Sequence, residues 1–287
     1  MLWRPAIALS AVILAIVLTI AFAPSSLQAQ SSVDAANETP DEAAQKFQAA
    51  AKASAAGYAL RADSADGRAL VLREEPLLRW TNPLGGRKAH GDVFLWADEG
   101  RPAAVLSLYE YTTPDGVVHE HHEFCSLATG PIVGDGPEGR DWSPKEAGIQ
   151  LALLPDAPEP AASPVRRLRQ MRELAGRFSG SKVTREEREK RDLRVLPQPV
   201  MRYESRHHQV TDGALFALVE ATDPEIFLVI EARPHEGDLR WHYALARMNS
   251  LWLAASYNGQ QIWEADVLPW GEIIRRTDKP YMIFSLR

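Results

Sequence analysis

The chain has 287 residues, of which 45% are hydrophobic and 24% are charged. This composition is ordinary for a folded protein and excludes a disordered or collagen-like chain. The formal net charge of −6 argues against a nucleic-acid-binding protein, which usually presents a basic face. A single cysteine excludes an intramolecular disulfide and a four-cysteine zinc site.

An uncharged apolar segment near the N-terminus predicts export. Residues 6–23 carry no charge, Arg4 precedes them, and Ala29 offers a small residue for a signal peptidase. Residues 1–29 are therefore predicted to be a signal peptide that is cleaved after Ala29. The apolar run approaches the ~20 residues that span a bilayer, so an uncut membrane anchor is the alternative. We expect a periplasmic or extracellular protein that meets the membrane only if this segment stays uncut.

The chain also resembles itself at a fixed spacing. Pro76 and Arg79 recur 123 positions later as Pro199 and Arg202. At a spacing of 122, four more positions match: Gly91 with Gly213, Phe94 with Phe216, Pro102 with Pro224 and Leu106 with Leu228. Such self-similarity predicts an internal duplication.

The first predicted unit covers residues 30–129. Thr39 and Glu42 have the spacing of a capping box, which predicts a helix that ends at Gly57. Short β-rich runs separated by turn residues follow this helix, and they predict antiparallel strands. These runs are 68–73, 76–81, 92–97, 102–111 and 117–127.

A connector rich in proline and glycine, residues 130–162, leads to a second unit at 163–287. Trp142 is expected to dock this connector onto the fold. Ser163 caps the predicted second helix, which Gly180 should end, and the charged residues 181–192 are predicted to form a solvated loop or helix end. The predicted strands are 193–196, 199–205, 214–221, 225–232 and 239–248, followed by a hairpin around Asn258 and Gly259.

These elements predict an α+β fold of two related units, each a helix followed by an antiparallel β-meander packed on it. This order of elements resembles that of cystatin-like and NTF2-like folds, in which a curved sheet wraps a helix. The resemblance covers each unit and includes no residue motif, so it implies no active site. The whole chain also resembles exported bacterial proteins of uncharacterised function.

One strand offers a set of candidate metal ligands. His119, His121 and Glu123 alternate along a predicted strand, so their side chains share one face. Two histidines and a carboxylate are a known ligand set for zinc or non-haem iron. A polar, solvated sheet face is the alternative interpretation. It is favoured by the duplication, which aligns these three residues with Trp241, Tyr243 and Leu245.

Aromatic residues near the C-terminus are the second candidate site. Trp241 and Tyr243 are candidate ligand-binding residues because aromatic rings on an open sheet can stack against sugars or apolar ligands, although such rings more often fill a core. The sequence contains no G-x-S-x-G, Walker A or G-x-G-x-x-G motif. We therefore predict an exported binding or interaction module of the cell envelope, with an unknown ligand or protein partner and an unknown cofactor. A metal-dependent enzyme using the 119–123 strand and a structural subunit that pairs with a second copy of itself stay open.

Overall fold

The computed structural model describes residues 39–83, 88–113, 115–185 and 188–286. Contacts within the chain divide it after Gln45, and all the sheets belong to the part that follows. In the described residues, the helices are Pro40–Ala56, Pro164–Ala175 and Trp270–Ile273, with a 3-10 turn at Pro137–Gly139. The strands are β1 (Ala59–Ala62), β2 (Val71–Leu72), β3 (Leu78–Asn82), β4 (Lys88–Asp98), β5 (Arg101–Thr112), β6 (Val118–Ser126), β7 (Ile132–Asp135), β8 (Ala152–Leu153), β9 (Phe178–Val183), β10 (Lys190–Val195), β11 (Met201–Ser205), β12 (Val210–Glu220), β13 (Asp223–His235), β14 (Asp238–Arg247), β15 (Trp252–Tyr257), β16 (Gln260–Ala265) and β17 (Tyr281–Leu286).

These strands form three antiparallel sheets. The six-stranded sheet has the order β17-β6-β5-β4-β2, and β3 pairs with β4 beside β2. The nine-stranded sheet has the order β16-β15-β9-β10-β12-β13-β14-β8, and β11 pairs with β12. Strands β1 and β7 form the two-stranded sheet.

One of three large buried clusters in the described residues lies between the two large sheets. Val93 and Leu95 of β4 belong to one buried cluster with Leu215 of β12 and Phe227 of β13. Because side chains alternate along a strand, the next residues on β4 and β12 face away from this cluster. Those outward faces pack against helices: Phe94 lies in a cluster with Ala55 of the first helix, and Phe216 with Met171 of the second.

The predicted α+β fold of two helix-plus-meander units is wrong. The described chain is mostly β, with three sheets, and each large sheet buries one face against the other sheet instead of only against a helix. In addition, β17, from the end of the chain, is the edge strand beside β6, while β8 extends the other large sheet beside β14. Composition and turn signals do not encode such pairings between distant segments, so these pairings cannot be predicted from the sequence.

The helix starts are confirmed, but one helix end is wrong. The backbone N–H of Thr39 donates to Glu42 Oε2 at 2.9 Å, and that of Glu42 donates to Thr39 Oγ1 at 3.3 Å, as in a capping box. Ser163 accepts a hydrogen bond from the backbone of Arg166 at the second helix. That helix ends at Ala175, and Gly180 instead lies in β9, where a side chain would meet Leu218.

The charged segment 181–192 is also misassigned, since β9 runs to Val183 and β10 begins at Lys190. Lys182 is only 5% exposed. Its ammonium lies 2.8 Å from Glu220 Oε2 and also contacts Glu225, and these partners allow a lysine inside the fold. The predicted docking of Trp142 is confirmed, because its side chain is fully buried and its Nε1 donates to the carbonyl of Lys279.

Strands β3 and β11 pair with their neighbours in the same way. Trp80 is the pairing partner of Gly91, and Tyr203 is the partner of Gly213. A Cβ on either glycine would lie within 2.8 Å of the partner's ring, so each pair depends on the missing side chain. This parallel supports the predicted duplication, which stays a prediction that a superposition of residues 40–128 and 163–250 would test.

Candidate ligand-binding pocket

A pocket of about 490 Å³ opens where the six-stranded sheet meets the ends of strands from the nine-stranded sheet. Strands β3, β5, β6 and β17 supply side chains from one sheet, and Asp223 stands at the start of β13 in the other. The short helix Trp270–Ile273 adds the indole of its first residue. Such a volume is within the range of small-molecule binding sites. We call this cavity the inter-sheet pocket.

Aromatic rings form one wall of the inter-sheet pocket. The rings of Trp80 and Tyr109 lie with centroids 5.6 Å apart, and Tyr111 stacks on His121 at 5.3 Å. Trp270 meets the His121 ring edge-on at 5.5 Å and is 41% exposed. Tyr109 and Tyr111 are two positions apart on β5, so their side chains lie on one face of the sheet. Tyr109 is the pairing partner of His121 on β6, so the His121 side chain lies on that face too. The wall is therefore largely aromatic, and Trp270 is its most exposed ring.

Glu123 lies at the buried end of the pocket. The hydroxyl of Tyr281 donates a hydrogen bond to its Oε1. Burial raises the pKa of Glu123 to about 8, because a charged carboxylate loses its hydration there, and the Tyr281 hydrogen bond opposes this rise. The carboxyl group is therefore mostly protonated at neutral pH.

Asp223 is the second carboxyl group of the pocket. Asn82 Nδ2 donates to its Oδ2 at 3.2 Å. Burial, and then the nearby charge of Glu225, raises the pKa of Asp223 well above its usual range. Among the described residues, no lysine, arginine or histidine forms an ion pair with Asp223 or Glu123. Unlike Glu123 and Asp223, Glu225 has a basic partner, because it forms an ion pair with Lys182. It also accepts a hydrogen bond from Asn249 at 2.5 Å.

His121 is 1% exposed, and neither of its ring nitrogens makes a hydrogen bond of normal geometry in the described structure, although a weaker contact with the backbone of Phe284 favours its protonated form. Burial lowers its pKa to about 4, and the neighbouring His119 and His122 lower it further. The ring is therefore neutral at pH 7, with one nitrogen able to donate and the other able to accept. A buried imidazole without partners is costly, and a bound ligand could supply the missing hydrogen bonds.

The structure brings only part of the predicted metal set into this pocket. His121 and Glu123 line it, whereas His119 lies outside, half-buried, with its ring stacked on Tyr111 at 5.0 Å. The His119 and His121 rings are parallel, with centroids 6.5 Å apart. Within the described residues, no group of three or more His, Cys, Asp or Glu side chains is placed to hold a metal ion. The metal-dependent alternative gains no support from this geometry.

The two predicted ligand-binding aromatics lie elsewhere. Trp241 is 1% exposed and fills the core beneath the second helix. Tyr243 packs against the same core, with its ring 5.6 Å from that of Phe178. Neither residue lines the inter-sheet pocket. Tyr109 and Tyr111 are the residues from which this aromatic wall could have been predicted. They lie on one face of β5, and their pairing partners on β6 are His121 and His119.

Comparison of this chain with family models, with curated proteins and with solved structures finds no match. Over the part of the chain that the structure describes, no helix has both the length and the apolar character needed to cross a bilayer.

Proposed function

We propose that this protein is an exported binding module of the cell envelope and that its ligand occupies the inter-sheet pocket. The observation that carries this proposal is His121, a buried polar ring that faces the pocket and makes no hydrogen bond of normal geometry in the described structure. Two carboxyl groups without ion-pair partners, Glu123 and Asp223, line the same cavity. Folded proteins rarely leave such groups unsatisfied, and a ligand that satisfies them gains binding free energy.

The shape of the pocket supports binding of a small molecule more than docking of a protein. Its lining combines buried side chains, among them His121, Glu123 and Trp80, with the more exposed Trp270. A flat protein surface could not reach Glu123, which is 8% exposed. A small ligand could enter, stack on the rings and bond to the polar groups beneath.

A thermal-shift screen tests the binding proposal. Purified protein is screened against single amines, sugars and amino acids, since a ligand that binds only the folded state raises the melting temperature. At least one class should raise it in the wild type but not in Ala89→Phe, which places a ring inside the pocket. Ala65→Phe, on an exposed loop, is the matched control and should respond like the wild type. A wild type that responds to no compound, or an Ala89→Phe variant that responds equally, contradicts the proposal.

Export is tested separately. The predicted cleavage site lies outside the described residues, and the processed protein should begin at Gln30. N-terminal sequencing of the protein recovered outside the cytoplasm checks this expectation. An intact Met1 on that protein would indicate a retained anchor instead.

A further inference from the structure

We infer that the inter-sheet pocket binds the ammonium group of a small organic cation. This inference rests on the proposed binding function and names its ligand class. Two features point to it: carboxyl groups without basic partners, and aromatic faces beside them. The buried ring of His121, whose nitrogens make no hydrogen bond of normal geometry in the described structure, is a further polar group that faces the cavity.

The basic side chains near the pocket are already occupied. Lys182 contacts Glu220 and Glu225. The guanidinium of Arg247 lies 5.3 Å from the centre of the Tyr281 ring, and it donates to the backbone carbonyls of three residues, Asn249, Leu251 and Asp266. Arg185, at the rim, donates to Ser250 Oγ and to the carbonyl of Leu268. In the described structure none of these three side chains forms an ion pair with Glu123 or Asp223, although the charge of Arg247 favours the ionised form of Glu123 and that of Lys182 favours the ionised form of Asp223.

The aromatic wall suits a cation for a separate reason. The faces of tryptophan and tyrosine rings attract ammonium groups, most strongly where water is excluded. Trp270, at 41% exposure, is the ring of this wall that is most open to such a group. His121 does not oppose a cation, because its ring is neutral at pH 7.

A sugar is the main alternative ligand, since carboxyl, amide and aromatic groups also bind sugar hydroxyls. The geometry favours the cation because burial disfavours the ionised form of both carboxyl groups, and an ammonium group stabilises that form more than a sugar hydroxyl does. A buried carboxylate gains much more from an ammonium than from a hydroxyl, since charge-assisted hydrogen bonds and ion pairs strengthen in a low-dielectric site.

Calorimetric titration with choline and with 3,3-dimethyl-1-butanol tests this inference. The second compound has the shape of choline but no charge, so the comparison isolates the cation. We expect choline to bind at least tenfold more tightly at pH 7.5, and we expect glucose to bind more weakly than choline. Equal affinity for the two isosteres would overturn the cation inference.

Variants then locate the charge. Glu123→Gln and Asp223→Asn keep the shape of each side chain and should each weaken choline binding at least fivefold. Glu110→Gln, on the same sheet but outside the pocket, and Asp238→Asn, at the exposed start of β14, should bind like the wild type. Unchanged choline affinity in both pocket variants would contradict the inference, and circular dichroism confirms that each variant is folded.

The two proposals fail differently. If glucose or another neutral compound binds and is lost in Ala89→Phe, the binding module stands and the cation inference falls. If neither choline nor any compound of the thermal-shift screen binds the wild type, the proposed function falls with it.

Discussion

The hydroxyl of Tyr281 donates a hydrogen bond to the carboxyl group of Glu123. This contact joins β17 to β6, whose residues 283 and 123 face each other in the sheet. The last strand of the chain therefore builds the buried end of a pocket whose other carboxyl group comes from β13. Tyr281 is 4% exposed, so its hydroxyl has little access to water as an alternative partner.

Tyr281→Phe should raise the pKa of Glu123 further. The hydroxyl stabilises the ionised carboxylate, so its loss favours the protonated form. We also expect a loss of about 1 kcal/mol in the free energy of unfolding, as for a typical buried hydrogen bond. A ¹³C NMR titration of the glutamate carboxyl signals measures the pKa. Tyr257→Phe, away from the pocket, should leave it unchanged, and a fall in the Glu123 pKa in Tyr281→Phe would refute the assignment.

Glu123→Gln should change how stability depends on pH. The folded-state pKa of Glu123 is about 8 and its ordinary value is 4.5, so between these values the folded chain keeps a proton that the unfolded chain releases. Wild-type stability relative to the variant should therefore fall by about 1.4 kcal/mol per pH unit from pH 4.5 to about 8, and stay level outside that window.

Urea unfolding of both proteins across this pH range measures the difference. Because both proteins keep every other charged or titratable group that surrounds residue 123, those contributions largely cancel. These groups are Tyr109, His121, Cys125, Arg185, Asp223, Glu225, Arg247 and Tyr281. A difference that does not vary with pH would show that Glu123 is not protonated in the folded protein.

Lys182→Met should destabilise the fold strongly. The substitution leaves Glu225, which is fully buried, without its basic partner, and breaking a buried ion pair in this way costs roughly 3–5 kcal/mol. Arg169→Met is the matched control, because its pair with Glu173 lies on an exposed helix surface and should contribute little. Urea denaturation compares the two variants, and similar small losses in both would contradict the structural role of Lys182.

Gly91→Ala and Gly213→Ala should both destabilise the protein by about 1–3 kcal/mol, because each new methyl group would overlap the ring of its strand partner. Gly130→Ala, where nothing lies within 4 Å of the added methyl group, should be close to neutral. Thermal unfolding gives the comparison. If only one of these two substitutions destabilised the protein, the two glycine–ring contacts would not contribute to stability in the same way.

Local chemistry allowed parts of this fold to be predicted. The capping box at Thr39 and the hairpin at Asn258 depend on neighbouring residues, and both lie where the sequence places them. Strand β9 was missed because its charged residue Lys182 is satisfied by partners some forty residues away. Strand β17 was missed because its pairing with β6 crosses most of the chain.

The candidate site was predictable only in part, for the same reason. Alternation along β6 correctly placed His121 and Glu123 on one face, which lines the pocket. Asp223 and Trp270 could not be added from the sequence, because only the packing of the two large sheets and the fold of the C-terminal segment bring them there. The third predicted ligand, His119, lies on the same strand but beyond the pocket.

The most direct test of cation binding in the inter-sheet pocket is an NMR titration of ¹⁵N-tryptophan-labelled protein with choline. The indole N–H signals of Trp80 and Trp270, which line the pocket, should shift progressively and saturate together. Those of Trp142, buried in another cluster, and Trp252, bonded to Glu264, should not move. Saturable shifts confined to Trp142 or Trp252, or no shift of any indole signal at millimolar choline, would contradict the account.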